Sequence, residues 1–325
     1  VFEFPQMKLI NVVDFPGRSE VGNYWWVNDE RLLFRVDVDW GNREEDVSYG
    51  ELYAVNANGK KGKYLFGLRG DQLGKTKSRL NTVSTVRASA NFVDPIWSNP
   101  KKVLVTLRDW NRGFNSTTTT AVLDVYTGRI TDRLFAPSAN AQIFADPEGN
   151  PRFSVYTDDD QNNVIYERDP ETGKWREFSR AAYGESQITP SDIHTDGRLI
   201  VLKSENDGPE GVYLMDPKTQ AMEEVYQHDL VDAGGIHRDW ASKMYAINAT
   251  PGKVEQTIVD PEHPEAQLLA GMKQAFPGAV PSVASSTHDY RLSVVRLDQD
   301  TRTPEFFMYD REKGELRPLF DAMPW

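Results

Sequence analysis

The side chains of this chain that are best suited to recognise a ligand are tryptophans, arginines and glutamates in two loops, at 37–50 and 108–118. They are Trp40, Glu44, Glu45, Arg108, Trp110 and Arg112. Tryptophan and arginine are enriched among the residues that dominate binding energies. We therefore predict that these loops face a partner or a substrate, the alternative being side chains that pack locally at the rim of the fold.

A catalytic serine would need a different motif. The nucleophile elbow of serine hydrolases has the pattern Gly-x-Ser-x-Gly, because glycines tolerate the sharp turn that exposes the serine. The segments around Ser19 and Ser186 each have the first glycine and lack the second. We predict plain loop serines at both positions, and hence a chain that carries no catalytic residue.

A calcium loop is the other possibility that the sequence raises. Asp158, Asp160 and Asn162 have the alternate spacing with which such loops present oxygen ligands. However, Asn163 stands where the usual glycine would be, and the twelfth position is Asp169 where an EF-hand has glutamate. We favour a solvated turn, and we predict neither a metal nor a cofactor.

The five histidines do not form a metal-binding pattern. His194, His237 and His288 recur before the second strand of successive repeats, which predicts turn hydrogen bonding at places that radiate apart. His228 and His263 are predicted to be exposed loop residues.

The elements that must position these side chains follow from a repeat. Alternating apolar and polar residues run into a turn with an acidic or amide residue a few positions before it, at Asn56, Asp124, Asp169, Asp216, Asp260 and Asp310. The intervals between these anchors are 68, 45, 47, 44 and 50 residues. Repeats of this length that are built from short strands are typical of a β-propeller.

Further strands precede each anchored hairpin, including GNYWWV at 22–27 and SVASST at 282–287. The pattern predicts an all-β propeller with four-stranded antiparallel blades: six recognisable repeats plus a remnant of another at 1–4, making six or seven blades. We assign 1–325 to a single propeller domain and attribute the long first interval to an insertion at 67–96.

Composition narrows the classes of partner. The formal net charge of −12 argues against nucleic acid and anionic membranes, which require a basic surface. No run of 18 apolar residues exists, so no membrane span is expected. The chain contains no cysteine, which excludes disulfides but leaves the compartment open. Because Val1 lies inside the repeat pattern, we expect an N-terminal segment before it, which slightly favours a periplasmic or secreted protein.

Several stretches in order along the chain resemble a known family. They are NYWWVNDERLLFRV, ELYAVNANGKKGKYLFG, LDVYTGRITDRL and the tail LFDAMPW. Together they resemble the N-terminal propeller of prolyl oligopeptidase family serine peptidases, in particular the acylaminoacyl- and dipeptidyl-peptidase-like branch. The resemblance implies an α/β-hydrolase domain after Trp325, as partner in the same chain, whose active site the propeller caps and restricts to short peptide substrates.

In such a cap, an arginine of the 108–118 loop would pair with a peptide carboxylate, and Glu44 or Glu45 would hold an α-amino group. A stand-alone TolB-like propeller that serves as a protein-interaction platform is the main alternative. A glycan-processing propeller is a more distant one.

Overall fold

The computed structural model of the chain describes residues 1–3, 6–41, 44–68, 86–113, 115–185, 187–205 and 208–321. Its strands form six successive antiparallel sheets preceded by a two-stranded hairpin. The chain is a six-bladed β-propeller, the smaller of the two blade numbers that the repeat predicted. None of the helices in the described ranges is long and apolar enough to cross a membrane.

The first three blades follow a short hairpin of β1 (Phe2–Glu3) and β2 (Lys8–Leu9). Blade 1 consists of β3 (Ser19–Asn28), β4 (Arg31–Val38), β5 (Val47–Asn56) and β6 (Lys63–Phe66). Blade 2 consists of β7 (Ala88–Pro95), β8 (Lys102–Asp109), β9 (Thr117–Asp124) and β10 (Ile130–Ala139). Blade 3 consists of β11 (Gln142–Ala145), β12 (Pro151–Thr157), β13 (Asn163–Arg168) and β14 (Trp175–Ala181).

The other three blades make up the remainder. Blade 4 consists of β15 (Ile188–Ile193), β16 (Leu199–Ser204), β17 (Glu210–Met215) and β18 (Met222–Tyr226). Blade 5 has three strands, β19 (Ile236–Arg238), β20 (Met244–Ala249) and β21 (Glu255–Ile258), and is followed by helix α1 (Pro264–Ala275). Blade 6 consists of β22 (Val280–Ser286), β23 (Leu292–Gln299), β24 (Arg302–Asp310) and β25 (Glu315–Asp321).

The chain divides into two compact units, Val1–Tyr183 and Gly184–Trp325, with three blades in each. The single domain over 1–325 and the hydrolase domain after it stay predictions. The segment predicted as a blade remnant contributes Phe2 and Glu3 to the N-terminal hairpin, where they pair with Leu9 and Lys8.

The insertion predicted at 67–96 is shorter than expected. Residues 88–95 form β7, the first strand of blade 2, which pairs with β8 along its whole length. Small residues at Ala88 and Ala90, both buried, let this strand pack closely on blade 1. Residues 69–85 of the predicted insertion lie outside the described part of the chain.

Neighbouring blades share their hydrophobic cores. One cluster joins Leu33 and Leu52 of blade 1 to Val103, Val105 and other residues of blade 2. In the second unit, a cluster joins Ile200 of blade 4 to residues of blade 5. Each blade alone would leave a sheet face exposed, so blade-on-blade burial is the main stabilising term of this fold.

The acidic anchors have a common local role. Asp124 Oδ1 accepts hydrogen bonds from the backbone N–H groups of Tyr126 (2.9 Å) and Thr127 (2.8 Å). Asp169 and Asp216 do the same in the next two blades, each toward the residues two and three positions later. These aspartates fix the turn between the third and fourth strands of their blades.

Candidate functional site: an aromatic cleft between blades 1 and 2

The two loops predicted to face a partner connect the second and third strands of adjacent blades. Trp40 follows β4 in blade 1, and Trp110 follows β8 in blade 2. Residues Trp110–Arg112 form one turn of 3-10 helix, in which the Asp109 carboxylate accepts a hydrogen bond from the Asn111 N–H. The backbone N–H of Trp110 also donates to the Arg87 carbonyl at 3.0 Å, which ties this turn to the start of β7.

Tyr49 brings the two tryptophans to one place. The Trp40 indole Nε1–H donates to the Tyr49 hydroxyl at 3.2 Å. The Tyr49 and Trp110 rings meet edge to face, with 6.1 Å between their centroids. Arg18 also donates to the Trp40 carbonyl at 3.1 Å, so Trp40 is held from both ends.

A β-bulge explains the position of Tyr49. Asp37 pairs with Ser48 and Val36 pairs with Glu51, so Tyr49 and Gly50 together form the bulge. Gly50 has φ +68°, and a Cβ on it would lie 2.6 Å from the backbone nitrogen of Ala90. Only glycine allows this close approach of blade 1 to blade 2, and the bulge directs the Tyr49 side chain toward the loops.

These elements enclose a cleft of about 300 Å³, which we call the aromatic cleft. It is lined by Ser48, Tyr49, Ser89, Arg108, Trp110 and Gly113. Arg108 and Ser89 are directly opposite each other in the β7–β8 ladder. Both of these side chains are partly buried. The lining of the cleft combines a guanidinium, hydroxyl groups and two aromatic rings in a small space.

The predicted residues therefore fall into two groups. Trp110 and Arg108 line the aromatic cleft, and Trp40 supports it through Tyr49. Arg112 lies on the surface with 67% of its side chain exposed and forms a 3.8 Å ion pair with Asp109. Glu44 and Glu45 are exposed in the loop after Trp40, and the structure places neither in the lining of the cleft.

Sequence reasoning placed Ser48, Tyr49 and Gly113 in the two predicted loops without singling them out, and it missed Ser89. The sequence contains a weak signal for Tyr49. An isolated glycine inside a strand pattern, here Gly50, indicates a bulge or a close approach of two backbones. The serines carry no such signal.

The calcium candidates form a hairpin turn between β12 and β13. Asp158 accepts hydrogen bonds from the Asp160 N–H (3.1 Å), the Asn162 N–H (2.9 Å) and the Asn162 side-chain amide (3.0 Å), and it also pairs with Arg180. The hydrogen bond from the Asn162 side chain and those from its other partners hold the pKa of Asp158 below its ordinary value. Within the described residues, no cluster of three or more histidine, cysteine, aspartate or glutamate side chains is suited to hold a metal.

Of the two serine candidates, Ser19 lies within the described residues. Ser19 is buried at the start of β3, in extended backbone that cannot form an elbow. Ser186 lies outside the described residues.

The prediction for His263 was wrong. His263 is buried, with 2% exposure, and caps the N-terminus of α1 by accepting from the Glu265 N–H through Nδ1 at 3.2 Å. Its Nε2 lies 3.1 Å from Asp239 Oδ2, to which the Tyr290 hydroxyl also donates at 2.5 Å. Because Nδ1 accepts, the proton is on Nε2, and the imidazole donates to Asp239.

This buried cluster separates the pKa values of its two carboxyl groups. Burial alone would raise the pKa of Asp239, but hydrogen bonds from His263 and Tyr290 lower it to about 2. Burial raises the pKa of Glu265, against the lowering effect of the hydrogen bonds from Ser286 and Tyr245. The cluster links α1 to the turns of blades 5 and 6, which is a structural role that the sequence did not reveal.

Solved structures are similar to the chain. A serine-to-alanine variant of puromycin hydrolase complexed with PGG matches it with a TM-score of 0.53 at 14% identity, over 91% of this chain and 44% of that one. A structure from work on two prolyl endopeptidases matches with a TM-score of 0.43 at 14% identity, over 95% of this chain and 53% of that one. A putative TolB from Agrobacterium tumefaciens matches with a TM-score of 0.39 at 13% identity, over 94% of this chain and 82% of that one.

The similarity is one of fold. No family model and no curated protein matches the chain. The chain spans about half the length of the two hydrolytic enzymes, 44% and 53%. The resemblance of the sequence to peptidase propellers is thus confirmed for the propeller fold.

Proposed function

We propose that this chain is the non-catalytic propeller of a serine peptidase, which caps and gates the active site and restricts it to short peptides. The observation that carries the proposal is the aromatic cleft, which lies at the loops between second and third strands of blades 1 and 2. A set of partly exposed tryptophan, tyrosine and arginine side chains at such loops is typical of a surface that meets a partner or ligand.

The fold supports the same function. The chain matches one part of puromycin hydrolase, 44% of its length, and leaves the rest of that enzyme unmatched. A propeller needs no catalytic group to change specificity, because excluding large substrates from a buried active site discriminates by access. The partner in this proposal is an α/β-hydrolase domain of the same chain, and the substrate is a peptide.

The experiment compares the chain with a product that also includes the natural sequence after Trp325. Both are assayed with short aminoacyl-nitroanilides, with longer peptides and with a serine-directed fluorophosphonate probe. The longer product is expected to be labelled and to prefer short substrates, and the chain alone is expected to be inert. Trp40→Ala in the longer product should increase hydrolysis of longer peptides, because it loosens the loop around the aromatic cleft.

Tyr183→Ala is the matched control, since Tyr183 is 82% exposed and lies outside the loops of the cleft. It should leave size selectivity unchanged. An unlabelled and inactive longer product would refute the proposal and favour an interaction platform, and labelling of the chain alone would refute its non-catalytic role.

A further inference from the structure

Three polar side chains share one face of blade 5. In the sheet register, His237 is opposite Ala246, and Asn248 is opposite Gln256. Opposite residues, and residues two apart on one strand, lie on the same face of a sheet. Among the described residues, His237 Nε2, Asn248 Oδ1 and Gln256 Oε1 are buried and have no hydrogen bond of normal geometry. Buried polar atoms of this kind are rare in native proteins.

Helix α1 covers this face of the blade. Ala246 packs with Ala266 and Leu269 of the helix in one apolar cluster. Toward the C-terminal end of α1, Lys273 Nζ donates a hydrogen bond to the backbone carbonyl of Gln256 at 3.1 Å. The helix therefore brings a positive charge to the strand that carries one of the three polar side chains.

The surroundings of His237 favour its neutral form. Burial lowers the pKa of His237 below its ordinary 6.5, against a raising effect of the nearby Asn248 side chain, and the Lys273 ammonium lowers it further. The ring centroid of Tyr245 lies 6.0 Å from that of His237, and burial raises the pKa of this phenol, so it stays neutral. Strand β22, which follows the helix, carries no titratable side chain.

The carboxylates of the neighbouring elements are engaged elsewhere. Glu255 of β21 lies 3.8 Å from His228. Asp239 and Glu265 belong to the buried cluster at the N-terminal end of α1. None of these three carboxylates forms an ion pair with His237. A proton on His237 would thus add a second positive charge beneath the helix, beside the lysine.

The two ends of α1 are held differently. The N-terminal end is fixed by that buried cluster and by Arg311, which donates to the Pro264 carbonyl at 2.7 Å. In the C-terminal half, Lys273 provides the hydrogen bond to blade 5, and Leu268 and Met272 pack on blade 6. We therefore expect opening to begin at the C-terminal end, with the apolar contacts keeping the open form a minor population.

We propose that His237 is an acid sensor beneath α1, whose protonation next to Lys273 favours opening of the C-terminal half of the helix and uncovers Leu268, Leu269 and Met272. In the open form His237 binds a proton as an ordinary imidazole does. Because the open form then binds more protons than the closed form, opening becomes more frequent as pH falls below about 6.5. The device is independent of the proposed function, because it consists of blade 5 and α1 of this chain.

The test follows hydrogen exchange of the chain by mass spectrometry from pH 7.5 to pH 5, with rates corrected for the intrinsic pH dependence of exchange. One titrating group changes an equilibrium by at most about 10-fold per pH unit. Relative to His237→Gln, the helix of the unmodified chain is expected to lose about 10-fold more protection over this range, while β23 of blade 6 keeps its protection. Because Glu265 titrates in both proteins, the difference between them isolates His237.

Lys273→Gln is a second variant, which keeps a donor for the Gln256 carbonyl and removes the charge. It should reduce the loss of protection in acid. His288→Gln is the matched control, since His288 is an exposed histidine in a turn of blade 6, and this variant should behave like the unmodified chain. Circular dichroism shows whether each variant is folded. Equal loss in the unmodified chain and in folded His237→Gln, an undiminished loss in Lys273→Gln, or the same loss in α1 and β23 would overturn the proposal.

Discussion

Arg31 provides a sharp test of how blades 1 and 2 are held together. Its side chain is fully buried and lies over the Tyr126 ring, 4.5 Å from the centroid. It donates to the Val125 carbonyl at 2.7 Å, to Asn56 Oδ1 at 2.7 Å and to the Lys61 carbonyl at 3.3 Å. One guanidinium thus joins the first turn of blade 1 to the third strand of the same blade and to blade 2.

The substitution Arg31→Met keeps much of the apolar volume and removes every donor. A buried acceptor that loses its partner costs about 1–3 kcal/mol, and two of the three acceptors are fully enclosed around Arg31. We therefore expect the free energy of unfolding to fall by about 2–5 kcal/mol. The measurement is urea unfolding, followed by both tryptophan fluorescence and circular dichroism so that coincident transitions can be checked.

The repeat supplies its own control. Arg291 lies in the corresponding turn of blade 6, one residue before Leu292, which pairs with the anchor Asp310 as Arg31 pairs with Asn56. Its side chain is 52% exposed and lies 3.4 Å from Glu312, so Arg291→Met is expected to change stability by less than about 1 kcal/mol. Equal losses in the two variants, or a loss below about 1 kcal/mol in Arg31→Met, would show that buried hydrogen bonding does not explain the role of Arg31.

Three further predictions follow from single sites. Gln220 has φ +58° at the turn position that Gly173 occupies with φ +69° in blade 3. Because glycine adopts positive φ without strain, Gln220→Gly should raise the free energy of unfolding by about 0.5–1 kcal/mol, and Gly173→Ala should lower it. Thermal denaturation measures both changes, and the opposite signs would contradict the prediction. Burial raises the pKa of Glu265 above its ordinary 4.5, so the folded state binds more protons than the unfolded state, and the free energy of unfolding should fall as pH rises from about 4.5. In Glu265→Gln this fall should disappear. If urea unfolding shows the same pH dependence in the variant, Glu265 is not the group responsible. Because the carboxylate oxygens of Asp158 are hydrogen-bonded within its own turn, saturating calcium or EDTA should leave the melting temperature unchanged. A shift of several degrees that is lost in Asp160→Ala would instead show a calcium site.

The fold class and the repeats follow from local patterns in the sequence. The anchors Asp124, Asp169 and Asp216 accept hydrogen bonds from backbone N–H groups two and three residues later. A few consecutive residues therefore specify each turn. Strand alternation is equally local, since side chains on a strand alternate between faces with a period of two. The two loops at 37–50 and 108–118 could be chosen for their composition alone.

Which side chains form a site depends on contacts between segments that are distant in the sequence. The aromatic cleft joins Tyr49, Ser89 and Trp110 from three separate segments, and their meeting depends on the Tyr49–Gly50 bulge and on the close packing of two blades. His263 looked like a loop residue because its burial comes from Asp239 and Tyr290, more than 20 positions away on either side. Such contacts depend on how sheets pack against each other, and a periodic pattern within one blade carries no information about the side chains of its neighbour.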